Sequence, residues 1–174
     1  MIAGLVLKDD VEKDSQLAFL GDELESVQAS TNEEIIEEIE ERKPEVLAID
    51  AGETGRDEFS KQEEELKEEG YTFSPASHNK MKARRFEALT EQLFQMLGEQ
   101  KPEVIRFEPA ITSEELAIDG DEALESYGID AENIMSAQAF DAVLGAVTAR
   151  FYSQGQFEDL GVIVPEPLGE TDGE

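Results

Sequence analysis

Two acids in this 174-residue chain stand at the edges of apolar elements, Asp50 and Asp141. Asp50 directly follows the run Val46-Leu47-Ala48-Ile49, where the carboxyl end of a strand meets a loop, and in open α/β sheets ligands gather there. Asp141 sits beside Phe140 and near Leu144, close to the apolar stripe of a helix. Each also has a plainer reading: a turn acid at a strand end, and a helix N-terminal acid stabilised by the helix dipole. The densest basic concentration is Lys80, Lys82, Arg84 and Arg85. At helical spacing these four could contact phosphate, or they could pair with the surrounding carboxylates.

Other chemistries are excluded by composition. With no cysteine the chain has no disulfide, thiolate nucleophile, iron–sulfur cluster or Cys-ligated zinc. The one histidine, His78, rules out a His-pair metal site. In Ser74-Pro75-Ala76-Ser77-His78-Asn79 it reads more simply as a turn or capping residue.

The elements that must position these residues follow from patterning. Met1–Leu7 and Leu17–Leu20 are short apolar runs, Leu24–Gln28 alternates, and Gly21-Asp22 is a two-residue turn signal, so the chain opens as a three-stranded antiparallel meander. Thr31 with Glu34 makes a capping box for a helix carrying Ile35, Ile36 and Ile39 on one face and running to about Lys43, before Pro44. Val46–Ile49 is continuous enough to be a strand buried on both faces. Glu63–Glu69 suggests an exposed helix, and Tyr71–His78 is turn-rich.

From about Asn79 to Leu97, the residues Met81, Phe86, Leu89, Leu93, Phe94 and Leu97 mark an amphipathic helix ended by Gly98. Thr112 with Glu115 suggests a second capping box, opening two short helices around a turn at Ile118-Asp119-Gly120. After Ser136 a long helix carries Phe140, Val143, Leu144, Val147 and Phe151 on one stripe, and Gly155 ends it. Leu160–Val164 reads as a last strand and 165–174 as an acidic tail, leaving 1–164 as one domain.

Forty-three acidic residues against fourteen basic ones give a net charge of −29, spread from Asp9 to Glu174. Such a chain repels itself and phosphate in dilute buffer, whereas at molar salt the Debye length falls to about 3 Å. A salt-adapted, haloarchaeal-type cytoplasm fits that balance. No apolar run approaches the roughly 20 residues of a membrane span, and the N-terminus lacks a basic region followed by an apolar stretch, so a cytoplasmic protein with no membrane partner is expected.

Several passages, in order, resemble a family of predicted nucleases with the ribonuclease H fold, a domain of unknown function common in archaea and bacteria. Val46-Leu47-Ala48-Ile49-Asp50-Ala51 resembles its fourth-strand motif, which ends in an acid. Gly70-Tyr71-Thr72-Phe73-Ser74-Pro75, with Met81 and the Arg84-Arg85 helix, resembles the next segment. Val104-Ile105-Arg106-Phe107-Glu108-Pro109 is similar to its fifth strand, and Phe140-Asp141-Ala142-Val143-Leu144-Gly145-Ala146 to its final helix, where an acid followed by small residues packs on the sheet.

The resemblance implies an α/β fold: a five-stranded mixed sheet, three strands antiparallel and then two parallel, with helices on both faces. It implies convergence of carboxylates from strand one, strand four and the last helix on two Mg²⁺ or Mn²⁺ ions for phosphodiester cleavage, with nucleic acid as the partner. Asp50 and Asp141 match two of those acids. The first-strand pattern Gly-apolar-Asp-apolar-Gly reads here Gly4-Leu5-Val6-Leu7-Lys8, so Val6 stands in the acid's place and Lys8 in that of the second glycine. On the fifth strand Arg106 stands where a carboxylate is expected, and Glu108 lies two residues on. Glu53, Glu108, Asp9 and Asp10 are the acids able to complete a shell.

Two functions follow: a metal-dependent nuclease with an altered site, or a ribonuclease H-fold binding or scaffold module that has lost catalysis. A nucleotide-phosphate enzyme of the actin and hexokinase type is disfavoured, because Lys8-Asp9-Asp10 occupies the first hairpin where a glycine-rich phosphate loop would lie.

Overall fold

The strands of the opening meander are β1 (Ile2–Val6), β2 (Ser15–Leu20) and β3 (Leu24–Ala29), in a computed structural model that describes residues 1–8, 13–50, 80–159 and 162–166. β2 pairs antiparallel with both neighbours. The hairpin from β2 to β3 closes at the Leu20–Leu24 pair with a Gly21 N–H to Glu23 C=O bond of 3.2 Å, a three-residue connection where two residues were expected.

Helix α1 (Asn32–Arg42) starts as its capping box predicts, with the Thr31 hydroxyl accepting from the Glu34 N–H at 3.1 Å. It ends one residue before Pro44, at Lys43, which takes the left-handed conformation at φ 52°. β4 (Val46–Asp50) then lies parallel to β1, and β5 (Glu103–Arg106) parallel to β4, giving the order β3-β2-β1-β4-β5. This is the expected mixed sheet.

Period-two alternation divides the sheet between two apolar layers. Ile2, Val6, Ala18, Leu20, Val46 and Ala48 join one cluster, while Ala3, Leu5, Leu17, Phe19, Leu47 and Ile49 join the other. The second layer is completed by Ile35, Ile36 and Ile39 of α1 and by Phe86, Leu89 and Leu93 of α2 (Lys80–Leu97). The first is completed by α3 (Pro109–Leu116), α4 (Asp121–Glu125) and α5 (Ala137–Ser153), with Leu116, Leu124, Val143, Leu144, Val147 and Phe151 inside. The sheet is therefore covered on both faces, as the apolar run of β4 requires.

Two expectations change here. The Thr112–Glu115 pattern does not open a helix: α3 begins at Pro109, whose missing N–H suits the first helical position, with Glu108 as its cap residue. Thr112 is buried instead, its hydroxyl 2.8 Å from that of Thr148 on α5. The last strand is Ile163–Pro165, β7, which pairs with β6 (Phe157–Asp159) in a separate two-stranded sheet. The expected helix over Glu63–Glu69, the Tyr71–His78 turn and residues 167–174 of the tail lie outside the described residues.

Helix α5 meets β1 backbone to backbone at Gly4. A Cβ at Gly4 would stand 2.1 Å from the Ala142 carbonyl oxygen and 2.5 Å from the Ala146 nitrogen. One at Gly145 would stand 2.6 Å from the Phe107 ring and 3.0 Å from the Gly4 Cα. Only two glycines allow this approach, and it fixes how far along the sheet each residue of α5 falls.

Candidate functional site

From Gly4 to Val6 the strand advances about 7 Å, and from Gly145 back to Asp141 the helix covers about 6 Å. With Gly145 seated over Gly4, Asp141 therefore arrives over the end of β1. Val6 is the ladder partner of Asp50, and both follow the alternation of Val46 and Ala48 onto the α5 face. Register and the glycine contact together bring Asp50 and Asp141 to one place.

They line one cleft of about 400 Å³, shared with Glu108, Ser113, Phe140 and the first turn of α3. Glu108 reaches it because β5 ends at Arg106. Strand alternation carried on past Arg106 would put Glu108 on the α2 face, yet as the cap residue of α3, where the chain leaves the sheet, it lines the cleft. The amino end of α3 meets this acidic cleft, and its dipole offsets part of the carboxylate repulsion. A second hollow of about 440 Å³, lined by Asp119, Asp121 and Met135, continues the first through the shared Phe140 and Asp141.

Among the described residues no three carboxylates or histidines stand close enough to hold a metal ion by themselves. Val6, 7% exposed, supplies packing where an oxygen would be needed. Glu53, Asp9, Asp10 and His78 lie outside the described residues.

The basic cluster divides. Lys80 and Lys82 fall in the first turn of α2, and Arg84 is exposed on it. Arg85 is not part of a surface patch: it is buried, and its guanidinium donates to Asn32 Oδ1 at 3.0 Å, the Lys8 carbonyl at 2.9 Å, Ser15 Oγ at 3.3 Å and the Ser30 carbonyl. It ties α2 to the ends of β1, β2 and β3, because an arginine fork can satisfy several carbonyls at once. Period 3.6 signals this, since Arg85 shares a helical face with Leu89 and precedes the buried Phe86.

Arg106 also departs from the expected cleft-facing acid. Its guanidinium lies 4.7 Å from the centroid of the Phe86 ring, on the α2 side of the sheet. Groups whose protonation the fold shifts include Glu25, whose carboxyl is held below its ordinary range by a hydrogen bond from Arg42, and Tyr152, whose phenol is raised by its hydrogen bond to Glu103.

The sheet order, its three antiparallel and two parallel strands and its two helical layers define a ribonuclease H-like fold. Thermus thermophilus RuvC in complex with a Holliday junction substrate is similar in structure, with a TM-score of 0.54 at 18% identity over 94% of this chain and 98% of that one. A second Thermus thermophilus RuvC structure gives 0.50 at 17% identity, with the same coverage. No protein-family model matches the chain, and no curated protein sequence does.

Proposed function

We propose that the chain is a divalent-metal-dependent phosphodiester hydrolase of the ribonuclease H-like class, working from a reduced carboxylate set of Asp50 and Asp141 with Glu108 at the rim. One observation carries this reading: carboxylates from three elements, the end of β4, the cap of α3 and the first turns of α5, open on one cleft beside the central strands. Carboxylate oxygens are the hard donors that Mg²⁺ and Mn²⁺ take, and Mg²⁺ is commonly held by one or two carboxylates with water and substrate phosphate completing its shell.

That donor set fits one ion completed in this way better than the two-ion clamp that the resemblance implies, since Val6 offers no ligand. An ion held there would neutralise phosphate charge and acidify an attacking water. Asp50 and Asp141, on a strand end and a helix, are fixed by regular structure rather than by loops. Glu53 is the further acid able to join them.

The substrate class in this reading is nucleic acid, as in the RuvC complex, with Lys80, Lys82 and Arg84 supplying phosphate contacts from α2. The charge of −29 makes binding strongest where salt screens the acidic surface, in keeping with a salt-adapted cytoplasmic protein whose residues 1–164 form one domain. A second reading, a binding module without catalysis, is favoured by the burial of Val6 beside Asp50.

The test is calorimetry of Mg²⁺ and Mn²⁺ in molar KCl on the wild type, Asp50→Asn and Asp141→Asn, with the same samples assayed on single-stranded, duplex and branched nucleic acids. Saturable heat and cleavage, both lost in either variant, support the hydrolase. Absence of metal-specific heat and of cleavage in the wild type sinks it and supports the binding module.

A further inference from the structure

Among the described residues Arg106 shares its lack of an ion pair with other cations such as Arg84 and Lys101, and what sets it apart from them is an aromatic seat. Fourteen basic residues face forty-three acids, yet among the described residues no carboxylate lies within ion-pair distance of its guanidinium. What holds it is the face of Phe86, at 4.7 Å. A cation–π contact fixes the planar group without consuming its hydrogen-bond donors, so the edge of the fork stays able to take a bidentate oxyanion. Arg106 is partly exposed, and Phe86 beneath it is buried in the α2 layer, so the platform is rigid.

Its position relates it to the cleft. In the parallel ladder Arg106 pairs with Ile49, which places Asp50 one residue further along the neighbouring strand, and Glu108 follows two residues later in the chain. Arg106 thus stands at the same carboxyl edge of the sheet as the carboxylates, turned toward the α2 layer where they turn toward α5. A polyanion with one phosphate at Asp50 and Asp141 must cross this edge to leave the cleft on the α2 side.

We propose that Arg106, seated on Phe86, binds a backbone phosphate of the nucleic-acid strand next to the one at the carboxylates. This makes it a positioning residue for the substrate. The inference rests on the hydrolase reading for its substrate class but not on turnover, because a strand can be bound without being cut. A guanidinium there would also offset the repulsion that the acidic cleft exerts on the flanking backbone.

The experiment is fluorescence anisotropy of labelled single-stranded and four-way-junction DNA and RNA in EDTA, across a KCl series, on wild type, Arg106→Gln and Arg106→Lys, with cleavage measured in parallel with Mn²⁺. A phosphate contact predicts that Arg106→Gln weakens binding about tenfold, the scale of a charge-assisted fork. It also predicts that the slope of log affinity against log salt falls by about 0.7–0.9, the loss of one phosphate contact. Arg106→Lys should keep the slope and lose part of the affinity, because it retains the charge without the fork.

A merely structural role for Arg106 on Phe86 would lower the melting temperature and leave the salt slope unchanged, and that result overturns the proposal. Wild-type binding that Arg106→Gln leaves intact overturns it too, while cleavage in those samples keeps the hydrolase reading. If the wild type binds none of the probes at any salt, the proposal fails, and the absence or presence of cleavage decides the hydrolase reading separately.

Discussion

Substituting Gly4 by alanine tests the contact on which the site depends. The new methyl would lie 2.1 Å from the Ala142 oxygen, 2.5 Å from the Ala146 nitrogen and 2.8 Å from the Gly145 carbonyl carbon, all backbone atoms of α5 that cannot rotate away. Restoring an ordinary contact requires the helix to lift from β1 by about 1 Å, against packing that the buried Ala142, Val143, Ala146 and Val147 make with the sheet layer. Overpacking of this kind costs about 1–3 kcal/mol, and because the obstacle is backbone the upper end applies. For a chain of this length that lowers the melting temperature by about 6–12 °C.

Gly145→Ala meets the Phe107 ring at 2.6 Å and the Gly4 Cα at 3.0 Å, a longer backbone contact than the 2.1 Å one at Gly4, and should cost less. Gly21→Ala meets only the Met1 side chain, 3.3 Å away, and should fall within about 0.5 kcal/mol of wild type. Urea unfolding of the three variants reads this order directly. The same 1 Å displacement moves Asp141 against Asp50, so metal affinity or cleavage should fall in Gly4→Ala further than its folded fraction explains, by up to about 100-fold. A Gly4→Ala protein as stable as wild type would refute the close approach of α5 to β1, and with it the derivation of where Asp141 sits.

Two further outcomes test polar contacts that hold the helices to the sheet. Arg85→Met should destabilise by about 3–5 kcal/mol in urea titration, because the Lys8 and Ser30 carbonyls lose their donor in a buried place, whereas Arg84→Gln, on the exposed side of α2, should change stability by less than about 0.5 kcal/mol. In the Glu25–Arg42 pair, the hydrogen bond from Arg42 lowers the Glu25 carboxyl from its usual 4.5. Its stabilisation is therefore fully present above the unfolded value and lost as pH falls through the lower folded one. Glu25 is more than half exposed, so the gap between wild type and Glu25→Gln should be about 0.2–1 kcal/mol at neutral pH and low salt, vanishing in acid and shrinking in molar KCl.

The fold was legible where apolar period and punctuation agree. Val46–Ile49 reads as a doubly buried strand because nothing polar interrupts it, and Thr31 and Ser136 announce their helices because each offers a hydroxyl to an N–H three residues on. Thr112 misled because the same spacing, threonine then glutamate, fell inside a helix that Pro109 had already started, and the hydroxyl found Thr148 instead of a backbone donor. Arg85 misled because its charge outweighed its place on the inward face of α2. Glu108 reached the cleft by a route that strand alternation does not show: the strand stops two residues earlier and the chain turns. The glycine pair that seats α5 on β1 joins residues 141 positions apart, a pairing that local patterning cannot reveal.

What distinguishes this cleft is the Val6–Asp50 pair. A second ion would need an oxygen at Val6, and the buried valine side chain instead presses on the α5 layer, leaving the strand-end acid beside apolar surface. Apolar surroundings strengthen the attraction between Asp50 and any cation that reaches it, while the missing ligand limits how many cations the cleft can hold. In the proposed hydrolase reading, the positive charge that a second ion would bring to a polyanion comes instead from the amino end of α3 and the guanidinium of Arg106 at the carboxyl edge. A site of one ion with fixed protein dipoles and an arginine differs in kind from a damaged two-ion site. It should retain phosphate binding when the metal is removed, whereas a site that relied on metal alone would lose both together.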